Sequence, residues 1–215
     1  MKKSLIIVGG GGQCKVILDC LRNEDYDQIF IEDPFVKDEA LYGIEVIEKA
    51  EVFDSKNLEF VVAIGDNYLR SKIVFDLETR FPGITFATII HPTAYVAGTA
   101  KLGAGAVVCA GSIIGAYARI GQHVIINTNS SVDHDCRLDD FSSIGPNATL
   151  GGNVKIGKLS FVAISATVAQ GINIADYVLV GACAVVLRNI NEELSLWVGC
   201  PAIKKRERKI NEKYL

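Results

Sequence analysis

The sequence predicts a mixed fold, in which a small N-terminal α/β domain with a Rossmann-like parallel sheet precedes a parallel β-helix. Two observations predict it. From Ile90 to Val186 an aliphatic residue occupies every sixth position without interruption, and a small or β-branched residue follows each one four positions later. Before Ile90, short apolar runs alternate with helical patterns and end in glycine or acidic residues. The change of pattern predicts two domains, residues 1–90 and residues 91–215, the second ending in a short tail.

The first ninety residues alternate between strand and helix patterns. The predicted elements are a strand at 4–8, a loop at 9–12, a helix at 13–21, strands at 29–31 and 60–64, a helix at 68–81 and a strand at 85–90. This order predicts a small open parallel sheet, and ligands of such sheets collect at the carboxyl ends of the strands.

Those strand ends carry the four glycines at 9–12, together with Asp33 and Asp66. A glycine run that opens a helix exposes backbone N–H groups, and these suit a diphosphate. The spacing does not match the dinucleotide fingerprint, because Cys14 or Lys15 stands where the last glycine belongs. A nucleotide diphosphate without nicotinamide and a simple tight turn are therefore both open at this point.

The repeat from position 90 onward predicts a prism. Each hexapeptide predicts a short strand and a tight turn, and three hexapeptides close one triangular coil. The aliphatic and the small residue point into the prism, and the other four positions project outward. At eighteen residues per coil, positions 90–186 predict about five stacked coils. Flat outer faces favour side-by-side packing of identical prisms, so we expect a homotrimer with clefts between its copies.

Charge and cysteine usage argue against several classes of protein. The net charge of −3 gives no electrostatic support for a nucleic-acid partner. The six cysteines form no CxxC pair and no metal-ligand spacing, which indicates free thiols in a reducing cytoplasm and no bound metal. The apolar run at 5–8 is too short for a signal peptide or a membrane span, so a cytoplasmic protein without membrane contact is expected.

Several short segments resemble one known family. They are Gly-Gly-Gly-Gly-Gln-Cys-Lys at 9–15, Glu-Asp at 32–33, Ala-Ile-Gly-Asp-Asn at 63–67 with Arg70, and Val-Gly-Cys-Pro-Ala at 198–202. Together they resemble the NeuD/PglD family of sugar O- or N-acetyltransferases, which belongs to the left-handed β-helix acyltransferases with hexapeptide repeats. The resemblance covers essentially the whole chain. It implies an N-terminal domain that binds a nucleotide sugar and a left-handed β-helix that binds acetyl-CoA.

The resemblance also implies which residues contact the two ligands. Those implied for the nucleotide sugar are Gly10, Gly11, Gly12, Gln13, Asp33, Gly65, Asn67, Arg70 and Asn127. Those implied for acetyl-CoA are Ser143, Gly152, Ile164, Gly181, Gly199, Pro201 and Lys204. Relatives often have histidine where this chain has Gln13 and Ser143, so the contacts at these two positions differ in detail. Lys204, followed by another lysine and an arginine, either meets the 3′-phosphate of CoA or belongs to a solvated end of the chain.

The chain has three histidines, and each has a different expected role. His91 precedes a proline, which predicts a structural corner between the domains. His123 lies three positions after a core aliphatic residue, so we expect a solvated surface side chain. His134 also points outward, between two aspartates, and the segment 127–135 resembles the family segment that ends in the catalytic histidine–acid pair.

The chemistry of acyl transfer gives His134 a role. An amine that attacks a thioester must lose a proton, and imidazole accepts protons near neutral pH. Asp135 matches the family position for the acid that orients the ring and stabilises imidazolium. Gly152 lies eighteen residues after His134, one coil further along the same corner, where its backbone N–H suits an oxyanion donor. Cys136 points inward by register, so a covalent acyl-cysteine is not expected.

The resemblance therefore implies acetyl transfer from acetyl-CoA to the amine of a nucleotide-linked amino-deoxy sugar for bacterial glycan biosynthesis. The favoured acceptor is a UDP-4-amino-4,6-dideoxy sugar, with a dTDP- or GDP-linked sugar as the second choice, and the favoured mechanism is direct attack in a ternary complex. Within the same fold, O-acetylation of a sialic-acid-type sugar is the runner-up. A zinc carbonic anhydrase needs three converging histidines, and the spacing of eleven residues between His123 and His134 argues against it. A non-catalytic nucleotide-sugar-binding protein is the remaining alternative.

Overall fold

A computed structural model describes residues 3–22, 26–50 and 57–213. The first two residues of the predicted N-terminal domain and the last two of the predicted tail lie outside these ranges. The described chain forms an α/β unit followed by a β-helix of short parallel strands, in the predicted order.

The N-terminal unit is a five-stranded sheet with two helices. Its elements are β1 (Ser4–Val8), α1 (Gly12–Cys20), β2 (Gln28–Glu32), β3 (Ala40–Leu41), β4 (Ile44–Ile47), β5 (Leu58–Val62) and α2 (Asn67–Arg80). The strand order is β3-β4-β2-β1-β5, and every pair is parallel except β3 with β4. Residues 5–7 of the interior strand β1 are completely buried because side chains cover both faces of the sheet.

Two parts of this unit differ from the prediction. The strands β3 and β4 were not predicted, because they are short and have no fully buried residue. The predicted strand at 85–90 is reduced to a bridge between Phe86 and Phe60, followed by the first strand of the β-helix. No helix within the described ranges is long and apolar enough to cross a membrane.

The β-helix strands from position 89 to position 186 are all two residues long. They are β6 (Ile89–Ile90), β7 (Tyr95–Val96), β8 (Lys101–Leu102), β9 (Val107–Val108), β10 (Ile113–Ile114), β11 (Arg119–Ile120), β12 (Ile125–Ile126), β13 (Ser131–Val132), β14 (Arg137–Leu138), β15 (Ser143–Ile144), β16 (Thr149–Leu150), β17 (Lys155–Ile156), β18 (Phe161–Val162), β19 (Thr167–Val168), β20 (Asn173–Ile174), β21 (Leu179–Val180) and β22 (Val185–Val186). Two longer strands, β23 (Ser195–Val198) and β24 (Ile203–Glu207), follow and pair antiparallel to each other.

Every third strand stacks into the same sheet, so the prism has three faces. Face 1 contains β6, β9, β12, β15, β18 and β21, extended by β23 and β24; face 2 contains β7, β10, β13, β16, β19 and β22; face 3 contains β8, β11, β14, β17 and β20. We name the edges between them corner 1–2, corner 2–3 and corner 3–1. The register pairs Ile114 with Val132 and Val132 with Leu150, which confirms a coil of eighteen residues.

The prism core follows the predicted pattern, with register residues such as Ile114, Ile126 and Val132 completely buried. The corners add a feature that the periodicity did not reveal. The third residue after each aliphatic position has a left-handed backbone from position 105 to position 183, as at Asn129 (φ 55°) and Asp135 (φ 58°). Asparagine and aspartate tolerate this conformation better than most residues, so their presence at corners has a backbone cause.

The N-terminal unit rests on face 1 and on corner 3–1, and the guanidinium of Arg70 holds the two domains together. Its Nε donates to the carbonyl oxygen of His123 (2.9 Å), and one terminal nitrogen donates to Phe141 O (3.0 Å) and to Ser143 Oγ (3.1 Å). On the side of the N-terminal unit it donates to the carbonyls of Ile64 and Gly65. Only 1% of Arg70 is exposed.

Asn67 and Ser143 belong to the same junction. Asn67 Nδ2 donates to the carbonyl of Ser160 (3.0 Å), and Asn67 Oδ1 accepts from Ser143 Oγ (2.6 Å). The predicted ligand contacts of Asn67, Arg70 and Ser143 are therefore corrected: these buried polar side chains satisfy each other across the domain boundary. Gly65, also predicted as a ligand contact, lends its carbonyl to this junction.

The prediction of a solvated His123 is wrong. Its ring stacks on Phe141 with centroids 5.1 Å apart and meets Phe86 edge-on at 4.5 Å, and the residue is only 2% exposed. Burial, reinforced by the positive charge of Arg70, lowers the pKa of His123 to about 4, so the ring is neutral at pH 7. The N-terminal unit covers this part of the prism, and a six-residue period carries no information about such a cover.

Candidate active site

His134 lies at corner 2–3, in the turn between β13 and β14. Its Nδ1 is 2.8 Å from Asp135 Oδ2, and about half of each side chain is exposed. The neighbouring Asp133 accepts the backbone N–H of His134 through Oδ1 at 2.7 Å, which fixes the turn. The predicted pair is thus formed, on an outer edge of the prism, with Nε2 of the ring turned away from Asp135.

The electrostatics of the pair favour a strong base. The hydrogen bond that His134 Nδ1 donates to Asp135, followed by the charge of Asp133, raises the pKa of His134 above its usual value. Both carboxylates stabilise imidazolium more than neutral imidazole, so a proton accepted at Nε2 is held more firmly.

Gly152 lies against the other side of the imidazole. A Cβ atom at this position would lie 2.5 Å from Nε2 of His134 and 2.6 Å from Cε1, far inside contact distance. Only glycine therefore leaves the ring in its place. His134 and Gln122 occupy the same place in their hexapeptides as Gly152, and their backbone N–H groups donate to the side chains of Asp133 and Asp140, respectively. No residue that the structure describes accepts the N–H of Gly152.

Cys136 follows the pair but points into the core, as predicted. It is 1% exposed, its sulfur donates to the carbonyl of Gly151, and burial raises its pKa. A buried thiol with a raised pKa is a poor nucleophile.

The glycine loop lies at the carboxyl end of β1, and Asp33 reaches it from the end of β2. The Gly10 N–H donates to Asp33 Oδ2 (2.7 Å), and the Phe35 N–H donates to Asp33 Oδ1 (2.9 Å). A Cβ at Gly10 would meet Leu41 at 2.7 Å, whereas Gly11 and Gly12 face open space. In its present conformation the loop offers N–H groups at its outer end, while its inner N–H is bound by a carboxylate.

Next to this loop lies a cavity of about 460 Å³. Its walls combine the strand ends at Gly9 and Asp33 with apolar side chains of Ile64 and Ile73, and Phe35 stands at the rim with 90% of its surface exposed. An aromatic ring beside an apolar cavity suits a planar base. Phe35 was not predicted as a site residue, although an aromatic residue directly after a strand end was a usable signal. Nearby, Gln13 Nε2 is buried without a partner among the residues that the structure describes.

The residues predicted for CoA lie elsewhere on the prism. Ile164 and Gly181 are at corner 1–2, and the turn with Gly199 and Pro201 continues that corner beyond β23. Asn127, which was predicted for the nucleotide sugar, lies at the same corner. Ile164 is 48% exposed. In one chain this corner is separated from His134 by the full width of face 2.

Lys204 is exposed near this corner. Its ammonium group forms ion pairs with Glu192 and Glu207, which raise its pKa. A phosphate would have to compete with these two carboxylates, and the contact with the 3′-phosphate of CoA stays a prediction.

Comparison with known proteins shows to which family this architecture belongs. A family model described as the PglD N-terminal domain matches residues 4–77. A variant of perosamine N-acetyltransferase from Caulobacter crescentus, in complex with CoA and GDP-perosamine, is 35% identical with a TM-score of 0.85, over 95% of this chain and 97% of that chain. The acetyltransferase domain of PglB from Neisseria gonorrhoeae FA1090, in complex with acetyl coenzyme A, is 30% identical with a TM-score of 0.89, over 95% and 100%. The chain belongs to the NeuD/PglD family of sugar acetyltransferases.

Family membership confirms the resemblance inferred from the sequence and identifies the protein as an acetyl-CoA-dependent acyltransferase. WeeI from Acinetobacter baumannii AYE, at 20% identity with a TM-score of 0.77 over 95% of this chain and 100% of that chain, shares the fold. A search of curated protein sequences gives no match.

Proposed function

We propose that this NeuD/PglD-family protein transfers the acetyl group of acetyl-CoA to the amine of a nucleotide-linked amino-deoxy sugar used in bacterial glycan biosynthesis. The observation that carries the proposal is the arrangement at corner 2–3, where the His134–Asp135 pair faces the backbone of Gly152. The relative from Caulobacter crescentus binds CoA together with a GDP-linked amino sugar, which supports this substrate class.

His134 acts as the general base. The amine nitrogen attacks the thioester carbon, a C–N bond forms, and Nε2 takes the proton that the nitrogen loses. When the tetrahedral intermediate collapses, the C–S bond breaks and the imidazolium returns the proton to the CoA sulfur. Asp135 keeps the ring in the tautomer that leaves Nε2 free to accept, and it remains ionised throughout.

Gly152 stabilises the intermediate. Its N–H has no acceptor among the described residues, and the residue lies beside the imidazole. Negative charge that develops on the thioester oxygen is met by this donor. The same glycine therefore serves both the position of the ring and the oxyanion.

The N-terminal unit binds the nucleoside. The apolar cavity beside Asp33 receives the base against Phe35, and Asp33 accepts from base or ribose donors. The open N–H groups of Gly11 and Gly12, with Gln13, contact the following part of the ligand. Uracil remains the predicted base, with GDP- and dTDP-sugars also open, because a pocket discriminates one methyl group by only about 1–3 kcal/mol.

The site is completed by a second copy of the chain. The dyad at corner 2–3 and the CoA residues at corner 1–2 border opposite edges of face 2. Face 2 exposes Tyr95 and Ile113, with 62% and 48% of their surfaces accessible. If three prisms turn face 2 inward, corner 2–3 of one copy meets corner 1–2 of the next, and each cleft then holds both halves.

The three histidines lie on three different edges: His91 at corner 1–2, His134 at corner 2–3 and His123 at corner 3–1. His123 is buried between Phe86 and Phe141, so it cannot join the other two at one zinc ion, which argues against a zinc carbonic anhydrase. No group of three metal-binding side chains occurs among residues 3–22, 26–50 and 57–213. O-acetylation by the same base remains the second candidate.

A thiol-release assay with acetyl-CoA tests the proposal. UDP-, dTDP- and GDP-linked 4-amino-4,6-dideoxy sugars serve as acceptors, and the matching 4-hydroxy sugars serve as controls for O-acetylation. We expect CoA release with an amino sugar only. CoA release with hydroxy sugars alone would favour the O-acetyltransferase. If none of the acceptors gives CoA release but the nucleotide sugar binds tightly, the result would favour a binding protein.

A further inference from the structure

Two cysteine thiols meet at the boundary between the N-terminal unit and the prism. Cys20 is the last residue of α1, and Cys109 directly follows β9 at corner 1–2. Both side chains belong to one buried apolar cluster that joins α1 to face 1, and only 3% and 1% of their surfaces are exposed. The two residues are far apart in sequence, so the docking of one domain on the other brings the thiols together.

Neighbouring contacts fix this juxtaposition. Asp19 Oδ2, next to the end of α1, lies 3.8 Å from His91 Nε2. The other ring nitrogen of His91, Nδ1, accepts the backbone N–H of Thr93 at 3.0 Å, which orients the ring. His91 and Cys109 are stacked on adjacent coils of corner 1–2, because β6 pairs with β9. The end of α1 therefore rests on these two corner residues, one of which is the partner thiol.

The two thiols differ in reactivity. The hydrogen bond between their side chains lowers the pKa of Cys20, whereas the same bond, reinforced by burial, raises the pKa of Cys109. The thiolate is the form that reacts with oxidants, so Cys20 is the more reactive of the two.

A route from the surface leads to Cys20. A cavity of about 400 Å³ lies between Tyr26 and Glu59 of the N-terminal unit and Ile89 of the prism, and Cys20 forms part of its wall. Among the described residues that line this cavity, Cys20 is the only one with a thiol. A small oxidant that enters the cavity thus meets Cys20 first, and Cys109 lies behind it as the second thiol.

We propose that Cys20 and Cys109 form a redox latch, in which a peroxide converts the two thiols into a disulfide bond between the domains. The Cys20 sulfur attacks one peroxide oxygen, the O–O bond breaks, and a first water leaves with the Cys20 proton. The Cys109 sulfur then attacks the sulfenic acid on Cys20, the S–S bond forms, the S–O bond breaks, and a second water leaves with the Cys109 proton. The two sulfurs lose two electrons, and the peroxide gains them.

The latch would fix the domains at a second place. In the reduced protein, the guanidinium of Arg70 holds them at corner 3–1 and face 1, whereas Cys109 lies at corner 1–2, the opposite edge of that face. A disulfide between residues so far apart in sequence restricts the unfolded chain over a long loop, which favours the folded state. Oxidation should therefore stabilise the docked arrangement, independently of the proposed function.

Thiol counting and peptide mapping test the latch. The background variant Cys183→Ser/Cys200→Ser lacks the two exposed thiols and keeps the four buried ones. In this background, Cys20→Ala and Cys109→Ala each remove one partner, and Cys14→Ala is the matched control because Cys14 is a buried thiol of the same helix. Each full-length protein is treated with hydrogen peroxide, unfolded, alkylated and analysed by mass spectrometry before and after tryptic digestion. The unfolding temperature is measured with and without dithiothreitol.

We expect peroxide to reduce the alkylated thiols of the background variant from four to two, to link the peptides of Cys20 and Cys109, and to be reversed by dithiothreitol. The oxidised background should unfold about 5–10 °C above its reduced form. Cys14→Ala should also lose two thiols and show the same shift, whereas Cys20→Ala and Cys109→Ala should show neither. Four unreacted thiols under conditions that oxidise glutathione, a linkage between other cysteines, or a linked pair without a rise in unfolding temperature would overturn the proposal.

Discussion

The contact between Gly152 and the His134 imidazole allows a sharp test by a single methyl group. In Gly152→Ala the new Cβ would lie 2.5 Å from Nε2 and 2.6 Å from Cε1. Ordinary contact is about 3.5 Å, so the ring must shift by about 1 Å. A misplacement of this size at a reacting group costs about a hundredfold in rate. We therefore expect kcat for thiol release to fall by about 10².

The matched control is Gly98→Ala. Gly98 occupies the same place of a hexapeptide at the same corner, and a Cβ there meets nothing within 4 Å. It should retain wild-type kcat. Both variants should unfold at the temperature of the wild type within a few degrees, and Gly98→Ala should bind acetyl-CoA with the affinity of the wild type. Full activity in Gly152→Ala would show that the position of the ring against this glycine is not the catalytic one.

Four further results are expected. His134→Ala should lower kcat by about 10² to 10⁴ while acetyl-CoA affinity, measured by calorimetry, stays nearly the same. Wild-type turnover of this variant at neutral pH would contradict the assignment of His134 as the general base. Because Asp135 raises the pKa of His134, kcat/KM should fall as pH drops through that raised value, and Asp135→Asn should move this acidic limb to lower pH; an unmoved limb would mean another group titrates. Asp33→Ala should weaken nucleotide-sugar binding by about 1–3 kcal/mol and leave acetyl-CoA binding unaltered in the same titrations; equal losses for both ligands would contradict separate sites. Arg70→Met should lower the free energy of unfolding in urea by about 3–5 kcal/mol, because Arg70 is buried between the domains. The control Lys72→Met, at an exposed position of the same helix, should cause almost no change. An equally small effect of Arg70→Met would contradict the role of Arg70 in holding the domains together.

The periodic half of the fold could be predicted almost completely from the sequence. An aliphatic residue at every sixth position has one structural solution, and the register of Ile114 on Val132 follows from it. The tight turns were predicted, but the left-handed backbone at Asp135 was not, because many residue types adopt it at the corners of this chain. The hexapeptide period predicts which side chains point away from the core, but it does not predict what they contact outside it.

That limit explains the errors in the candidate site. His123, Asn67 and Arg70 are polar residues that point away from their own cores, and the sequence does not show that two domains meet over them. Residues recognised by motif therefore divide into two groups. His134 and Gly152 meet each other in space, eighteen residues apart in sequence, whereas Asn67 and Arg70 support the architecture. The ion pairs of Lys204 were not predicted either, since its two acidic neighbours come from separate segments.

The assembly of the site from two copies is a separate expectation. Light scattering should give a homotrimer, because His134 and the residues predicted for CoA border opposite edges of face 2 in one chain and a neighbouring copy would bring them together. A stable monomer with full activity would contradict it.

The most direct measurement is the mass and site of modification of the acceptor after incubation with acetyl-CoA. The wild-type protein should add one acetyl group to the amine of a nucleotide-linked 4-amino sugar, with one equivalent of CoA released, and His134→Ala should give almost no product in the same time. Acetylation on a hydroxyl group, absence of product with every nucleotide sugar, or equal product from His134→Ala would contradict the assignment of this site as an amino-sugar N-acetyltransferase.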